Sequence, residues 1–373
     1  MKEVFIASAG ALTSLGPTLD DTWEELLRGR TAIRKVERFP TDGYKASIAA
    51  CIDSLTDQGA RSRIRDLISR LCTAAPDIPR DSTVITASTK AGIDNLEKRR
   101  KGLAADASDM FPSSLAAVIS REMGLSGPGF NISAACASAT VAIAQGACLI
   151  SSGAAESVFI CCADIVTEFV FSGFSSLQAL SASPAQPFDK KRSGLSLGEG
   201  GAYLHLVSPK RMGSRSAGPR VAIAGWGVAN DAFHLTSPSP DGCGLQDAIR
   251  RAMTKASVEP GDIAGISAHG TGTIYNDLME LRAFSSVFGE RVPPVYSVKG
   301  AIGHTFGAAG GIEVAIAART LLTHTVPPTV GFRDPENGAE GVVHSHPVSI
   351  GGRYVMTTNS GFGGVNAAII LKE

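Results

Sequence analysis

From Phe130 to Ala155 the chain carries no charged residue. A stretch so long and so neutral belongs either in a bilayer or inside a large folded core, and its content of Ser, Ala and Gly suits burial within protein better than contact with lipid. An apolar run at 130–132 reads as a strand, and small residues then make a tight turn. From Ala137 onward, Val141, Ala144, Cys148 and Leu149 recur with helical spacing. Cys136 therefore falls at the mouth of a buried helix. There, unpaired N–H groups and the positive dipole end stabilise a thiolate, lower the cysteine's pKa and can hold the oxyanion formed when sulfur attacks a carbonyl. Free cysteines are among the most buried residue types, so the helix mouth alone assigns no role.

A helix buried on all sides needs a large protein around it. The 373 residues are 44% hydrophobic but only 6% aromatic, with 41 glycines, which fits an α/β enzyme with closely packed backbones. Lys plus Arg and Asp plus Glu balance at 35 each, giving no reason to expect nucleic acid or a membrane as partner. The seven cysteines, at 51, 72, 136, 148, 161, 162 and 243, show no CxxC pair and no His spacing suited to zinc. Their odd number argues against a secreted disulfide framework, so a cytoplasmic location is expected, and no signal peptide is visible over residues 1–15.

The order of elements repeats. The start Val4-Phe-Ile-Ala-Ser-Ala-Gly is echoed at Val221-Ala-Ile-Ala-Gly-Trp-Gly, and a Pro/Arg/Gly/Ser-rich passage at 209–219 separates the two. Two similar halves are expected, 1–208 and 220–373, joined by that linker. In the first half, strands are expected at Val4–Ala9, Ser82–Ser88, Val158–Ala163 and Ala202–Val207. Helices are expected at Asp20–Leu27 with Asp20 or Asp21 as cap, 61–74, 91–101 and about 113–123 with Ser113 or Ser114 as cap. In the second, helices at 245–257, 277–288 and 308–323 alternate with strands at Ile263–Ala268 and Val295–Val298. Strands at Val348–Ile350, Arg353–Thr358 and Val365–Leu371 close the chain.

Three glycine-punctuated strand ends stand out. His269-Gly-Thr-Gly-Thr follows the strand at 263–268, Lys299-Gly-Ala-Ile-Gly-His304 follows that at 295–298, and Gly361-Phe-Gly-Gly sits between the last two strands. One histidine in such a place is usually structural. Three such ends together with a helix-mouth cysteine point to one site.

In this order these motifs resemble those of the β-ketoacyl-[acyl-carrier-protein] synthases, condensing enzymes of the thiolase superfamily. The resemblance covers nearly the whole chain, through Ala135-Cys-Ala-Ser, Gln186-Pro-Phe-Asp-Lys-Lys-Arg, Asn230-Asp-Ala-Phe-His, Ala268-His-Gly-Thr-Gly-Thr, Ser297-Val-Lys-Gly-Ala-Ile-Gly-His and Gly361-Phe-Gly-Gly-Val-Asn. It implies a thiolase-like α/β fold, two βαβ-type halves in a five-layer αβαβα arrangement, and a homodimer or a heterodimer with a synthase-like subunit. It also implies Cys136 as acylated nucleophile, His269 and His304 as catalytic histidines of the elongating branch, and Lys299 as active-site lysine. The N–H groups of Cys136 and Phe362 become the oxyanion hole and gate. Thr271, Thr273, Phe174 and Gly363 become substrate-binding residues, and Glu313 supports the site through hydrogen bonds.

The activity implied is decarboxylative Claisen condensation of an acyl-enzyme thioester with malonyl carrier protein, in fatty-acid or specialised polyene or polyketide synthesis. The substrates ride on the phosphopantetheine arm of acyl carrier protein, with no metal or other cofactor. The other expectations kept open are a malonyl decarboxylase or acyltransferase on the same site, and a partner subunit with little turnover of its own. The chain departs from the common pattern at Asn359-Ser360, where a serine replaces one aromatic. The arginines at 61, 63, 65 and 70 lie off the apolar face of their helix, and Arg61, Arg63 and Arg65 are the expected dock for an acidic carrier protein.

Overall fold

The computed structural model describes residues 2–57, 59–213 and 220–373. Ten strands carry the fold: β1 (Val4–Thr13), β2 (Thr83–Ala87), β3 (Gly129–Ile132), β4 (Ser157–Asp164) and β5 (Gly200–Val207), then β6 (Ala222–Asn230), β7 (Ile263–Ser267), β8 (Val295–Tyr296), β9 (Tyr354–Gly361) and β10 (Val365–Lys372). The first five lie in the order β3-β2-β4-β5-β1 and the second five in the order β8-β7-β9-β10-β6. Within each set the three outermost strands run parallel and the fourth and fifth pair antiparallel. The sets meet where Val4 and Phe5 pair with Ile223 and Ala222.

Eight helices matter here: α1 (Leu19–Leu27), α2 (Arg63–Ala74), α3 (Leu115–Met123), α4 (Ser138–Ser151), α5 (Glu168–Ser176), α6 (Cys243–Ala256), α7 (Ile274–Phe288) and α8 (Ala309–Thr323). Helices α2 and α3 cover the outer face of the first set, and α6 and α7 that of the second. Between the sets lie α4 and α8, each touching strands of both. The five layers are thus α, β, α, β, α. A middle layer can be built only from helices apolar all round. The charge-free α4 meets that demand, and α8 has a single buried carboxylate, Glu313, and one arginine near its solvent end. Residues 306–323 are long and apolar enough to cross a membrane, yet 83% of them are buried inside the protein.

Close approach of the two central helices sets one sequence requirement. A Cβ on Gly310 of α8 would lie 2.0 Å from the Thr140 hydroxyl of α4, so only glycine fits there.

Several local expectations are corrected. Helix α1 is capped by Thr18, whose hydroxyl accepts from the Asp21 N–H, and not by Asp20 or Asp21. Residues 112–114 form a 3-10 turn ahead of α3, and the Ser114 hydroxyl donates back to the carbonyls of Ser108 and Phe111 instead of capping the helix. Helix α5 lies where no element was expected; Thr167 caps it, its hydroxyl accepting from the Val170 N–H. Two short strands, Arg34–Lys35 and Ile48–Ala50, lie within residues 31–60, where the sequence shows no clear period. The expected linker begins with a helical turn at Pro209–Met212, and its residues 214–219 lie outside the described residues.

Candidate active site

Strand β3 delivers the chain into a turn at Ala135, whose φ of +47° is a left-handed conformation that L-residues adopt at a cost. The turn is held by Ser138, whose Oγ accepts from the Ala134 N–H at 2.8 Å and donates to the Ala135 carbonyl at 2.5 Å. Helix α4 then begins, and Cys136 sits at its mouth, buried. From the second set come the partners. His269 follows β7, His304 follows the helical turn Lys299–Ile302, and the β9–β10 turn brings Gly361 and Phe362 over the sulfur. A Cβ on Gly361 would stand 3.1 Å from the Cys136 nitrogen, so the crossing of this turn over the helix mouth favours glycine.

The Nε2 of His304 lies 2.9 Å from the Cys136 Sγ. The His269 and His304 rings meet edge to face, with centroids 5.2 Å apart. The sulfur and one ring nitrogen from each histidine all lie within 4.8 Å of one another. They open on a cavity also lined by Phe174, Thr271, Thr273, Phe362 and Gly363. Phe174 stacks on Phe362 at 6.0 Å and leans on Phe306 at 5.6 Å, forming an aromatic wall beside the sulfur.

Lys299 and Glu313 stand behind this cavity and do not line it. The Lys299 ammonium is paired with the Glu313 carboxylate and donates to the His269 carbonyl at 2.6 Å. The lysine expected in the active site therefore touches none of the reacting side-chain atoms; it holds the His269 backbone and acts on the sulfur and the imidazoles through its charge.

Burial dominates the electrostatics. It pushes the Cys136 thiol up to about 11, although the Lys299 charge and the Phe362 N–H both pull it down. The lowered thiol pKa expected from the helix mouth is thus reversed. Burial, and then the Lys299 charge, hold both imidazoles well below their usual range, and His304 adds to the effect on His269. Cysteine and histidines rest as neutral groups at pH 7.

Sequence reasoning passed over three buried carboxylates. Glu280 of α7 accepts from the N–H groups of His269 and Gly270, each at 2.7 Å, and fixes the turn that carries the histidine. Burial and the adjacent Asp277 push its carboxyl up to about 8. Asp277 accepts from the N–H groups of Phe188 and Gly272, tying the Gln186–Asp189 segment to the cavity wall. Asp164 at the end of β4 accepts from the Ser88 hydroxyl at 2.6 Å and the Gly307 N–H at 2.8 Å, and so anchors the loop after His304. The signal for the first two was the helical spacing of Asn276, Asp277 and Glu280 just after the His269 turn.

The arginines do not form a free row. Arg63 pairs with buried Asp94 at 3.5 Å and donates to the Val166 carbonyl at 3.1 Å, Arg65 faces buried Asp109 at 3.5 Å, and Arg70 pairs with Asp66 at 2.8 Å. Arg61 is exposed, and its guanidinium has no ion-pair partner among the described residues.

Comparison with known proteins gives matches along the chain. Residues 79–209 match the N-terminal domain of β-ketoacyl synthases and residues 221–333 the C-terminal domain. The 3-oxoacyl-[acyl-carrier-protein] synthase 2 of Staphylococcus aureus is 28% identical over 407 aligned positions, which span 100% of this chain and 98% of the relative. Among solved structures, the ishigamide ketosynthase/chain length factor superposes with a TM-score of 0.90 at 28% identity, covering 100% of this chain and 99% of that one. A β-ketoacyl synthase from Burkholderia phymatum does so with a TM-score of 0.90 at 25% identity, covering both chains completely.

Proposed function

We propose, on the premise that this chain belongs to the β-ketoacyl synthase family, that its Cys136, His269 and His304 carry out a two-step condensation on carrier-bound substrates. Condensing enzymes of this family, active in fatty-acid and polyketide synthesis, take their substrates on the phosphopantetheine arm of acyl carrier protein and use no separate cofactor. The observation that carries the assignment is the meeting of one sulfur and two imidazole nitrogens within 4.8 Å at the floor of a cavity.

In the first step the Cys136 sulfur attacks the acyl thioester of a carrier protein. A new carbon–sulfur bond forms, the pantetheine thiol leaves, and the proton shared between Sγ and the His304 Nε2 passes to it. The Cys136 and Phe362 N–H groups face the carbonyl oxygen while it bears charge. Acylation removes the sulfur as a hydrogen-bond partner and frees the His304 ring nitrogen. In the second step the malonyl thioester enters, and two imidazole N–H donors hold its carbonyl while carbon dioxide leaves. The enolate carbon attacks the acyl-cysteine, the carbon–sulfur bond to Cys136 breaks, and 3-oxoacyl carrier protein forms with a Cys136 thiolate, which takes a proton from solvent to return to the resting thiol.

Thr271 and Thr273, with Oγ atoms 2.9 Å apart on the cavity wall, offer hydroxyls to the amides of the pantetheine arm. Arg61 is the docking arginine in this reading. Lys98, on the short helix Asp94–Arg100 that also carries exposed Arg99 and Arg100, donates to the Arg61 carbonyl at 2.8 Å. Seven unpaired cysteines favour a reducing compartment such as the cytoplasm. Dimerisation, with a second copy or a synthase-like subunit, is proposed from the likeness to a ketosynthase/chain length factor structure. A full nucleophile and histidine set favours turnover by this chain over a purely supporting role.

The test is mass spectrometry of the chain after incubation with acyl carrier protein, followed by malonyl carrier protein. An acyl adduct on Cys136 that is consumed to give 3-oxoacyl carrier protein is expected. An adduct that only hydrolyses would indicate a simple acyltransferase, and carbon dioxide release without an adduct a decarboxylase.

A further inference from the structure

Asn359 lies on β9, fully buried, and its side chain joins three elements that carry the site. Its amide nitrogen is 3.2 Å from the His269 Nδ1 and 2.6 Å from a Glu313 oxygen, and its carbonyl oxygen accepts from the Thr140 hydroxyl of α4. The orientation of that amide is fixed by chemistry. Glu313, as the anionic partner of Lys299, only accepts, so the Asn359 atom facing it must be the N–H₂ group. The same nitrogen then presents its second hydrogen to the His269 Nδ1. A ring nitrogen that accepts carries no hydrogen, and a neutral imidazole must then carry its single hydrogen on Nε2. His269 is held neutral by burial and by the Lys299 charge.

We infer that Asn359 is a positioning residue that fixes His269 as its Nε2–H tautomer, so that a hydrogen-bond donor and not a lone pair meets the malonyl carbonyl in the cavity. The inference rests on the proposed enolate-stabilising role of His269. Gly310 belongs to the same device: a Cβ there would stand 2.0 Å from the Thr140 hydroxyl and 2.8 Å from the Asn359 carbonyl oxygen, so glycine leaves room for the hydrogen bond that orients the amide. The chain Lys299–Glu313–Asn359–His269 thus runs from a buried charge pair to a protonation state. With alanine at 359, no group named here donates to Nδ1, and the ring can take either tautomer.

The test combines a spectroscopic and a kinetic readout on the full-length protein. Long-range proton–nitrogen spectra of histidine-labelled wild type at pH 7.5 are expected to show His269 protonated at Nε2 only, and Asn359→Ala to show a mixture of tautomers. In the same variant, kcat for decarboxylation of malonyl carrier protein should fall about tenfold with KM unchanged. Acylation of Cys136 should change by less than about twofold, since that step uses His304. Asn359→Ser, which keeps one donor, should recover part of the loss. An Nδ1–H or doubly protonated His269 in wild type, or equal loss of both half-reactions in Asn359→Ala, overturns the inference. The wild-type spectrum decides it even where Asn359→Ala fails to fold. His269→Ala separates the two levels: unimpaired decarboxylation there refutes the role given to His269, whatever its tautomer.

Discussion

His304 faces Cys136 through Nε2 at 2.9 Å, while its Nδ1 is buried with no hydrogen-bond partner among the described residues. The ring is thus hydrogen-bonded only on the side of the sulfur and is otherwise held by packing against the His269 and Phe306 rings. In the proposed cycle, acylation would remove that bond and leave Nε2 without a partner until the second substrate enters.

The two half-reactions should therefore separate under mutation. Cys136→Ala is expected to abolish acyl transfer while leaving measurable carbon dioxide release from malonyl carrier protein, because the histidines do not need the thiol to hold an enolate. His304→Ala should lower decarboxylation by about 10²–10³-fold, the usual cost of one transition-state donor, and affect Cys136 acylation less. Radiolabelled carbon dioxide release and intact-protein mass measure the two steps independently, and equal losses in His304→Ala would remove its assigned role.

Alkylation of Cys136 should report a thiol and not a thiolate. With burial holding its pKa near 11, inactivation by iodoacetamide should speed up about tenfold per pH unit from pH 7 to pH 10. A rate already at its plateau at pH 7 would show that the helix mouth outweighs burial. Exposed Cys148 and Cys243 will also be labelled, so inactivation must be followed together with peptide mapping of residue 136.

Both imidazoles stay neutral below their ordinary range, so decarboxylation should not titrate away at the usual histidine pKa of about 6.5. A flat rate from pH 8 to pH 6 is expected, and a midpoint near 6.5 would contradict it. Stability carries the opposite cost. Below about pH 6.5 the unfolded chain binds protons at these two positions and the folded one does not, so their burial lowers stability progressively as pH falls. Chemical denaturation at pH 7.5 and pH 5.5 of wild type against His269→Gln measures that contribution, which the variant should lose in part.

Arg65 and Arg61 should behave differently although one lies in the first turn of α2 and the other just ahead of it. Arg65→Glu sets a second carboxylate against buried Asp109 and should destabilise the fold by about 3 kcal/mol, the range for breaking a buried ion pair. Arg61→Glu should leave the melting temperature unchanged and slow turnover of carrier-bound substrates several-fold, with the effect vanishing at high salt and absent for a small thioester mimic. An equal loss with both substrates would exclude docking at Arg61.

Strand ends and helix mouths could be read locally because glycine turns and apolar runs mark them. Those marks pointed to Cys136, His269, Lys299, His304 and Phe362, each next to one, while the roles given to them came from the family resemblance. Arg63 and Arg65 could not be read as structural, because Asp94 and Asp109 reach them from a distant helix and turn. Asn359 was visible only as a departure from a motif; its partners Thr140, His269 and Glu313 come from three elements that only the packed middle layer brings together. The thiol's pKa was misjudged for a related reason. A helix mouth is a sequence feature, whereas the burial that outweighs it belongs to the assembled core.

The repeated strand order divides the site between the two sets. Cys136 follows β3, and Lys299 and His304 follow β8, the strand in the matching place of the second set. The sulfur and the imidazole that faces it thus come from matching places in the two sets, so each set supplies one side of a contact that neither makes alone.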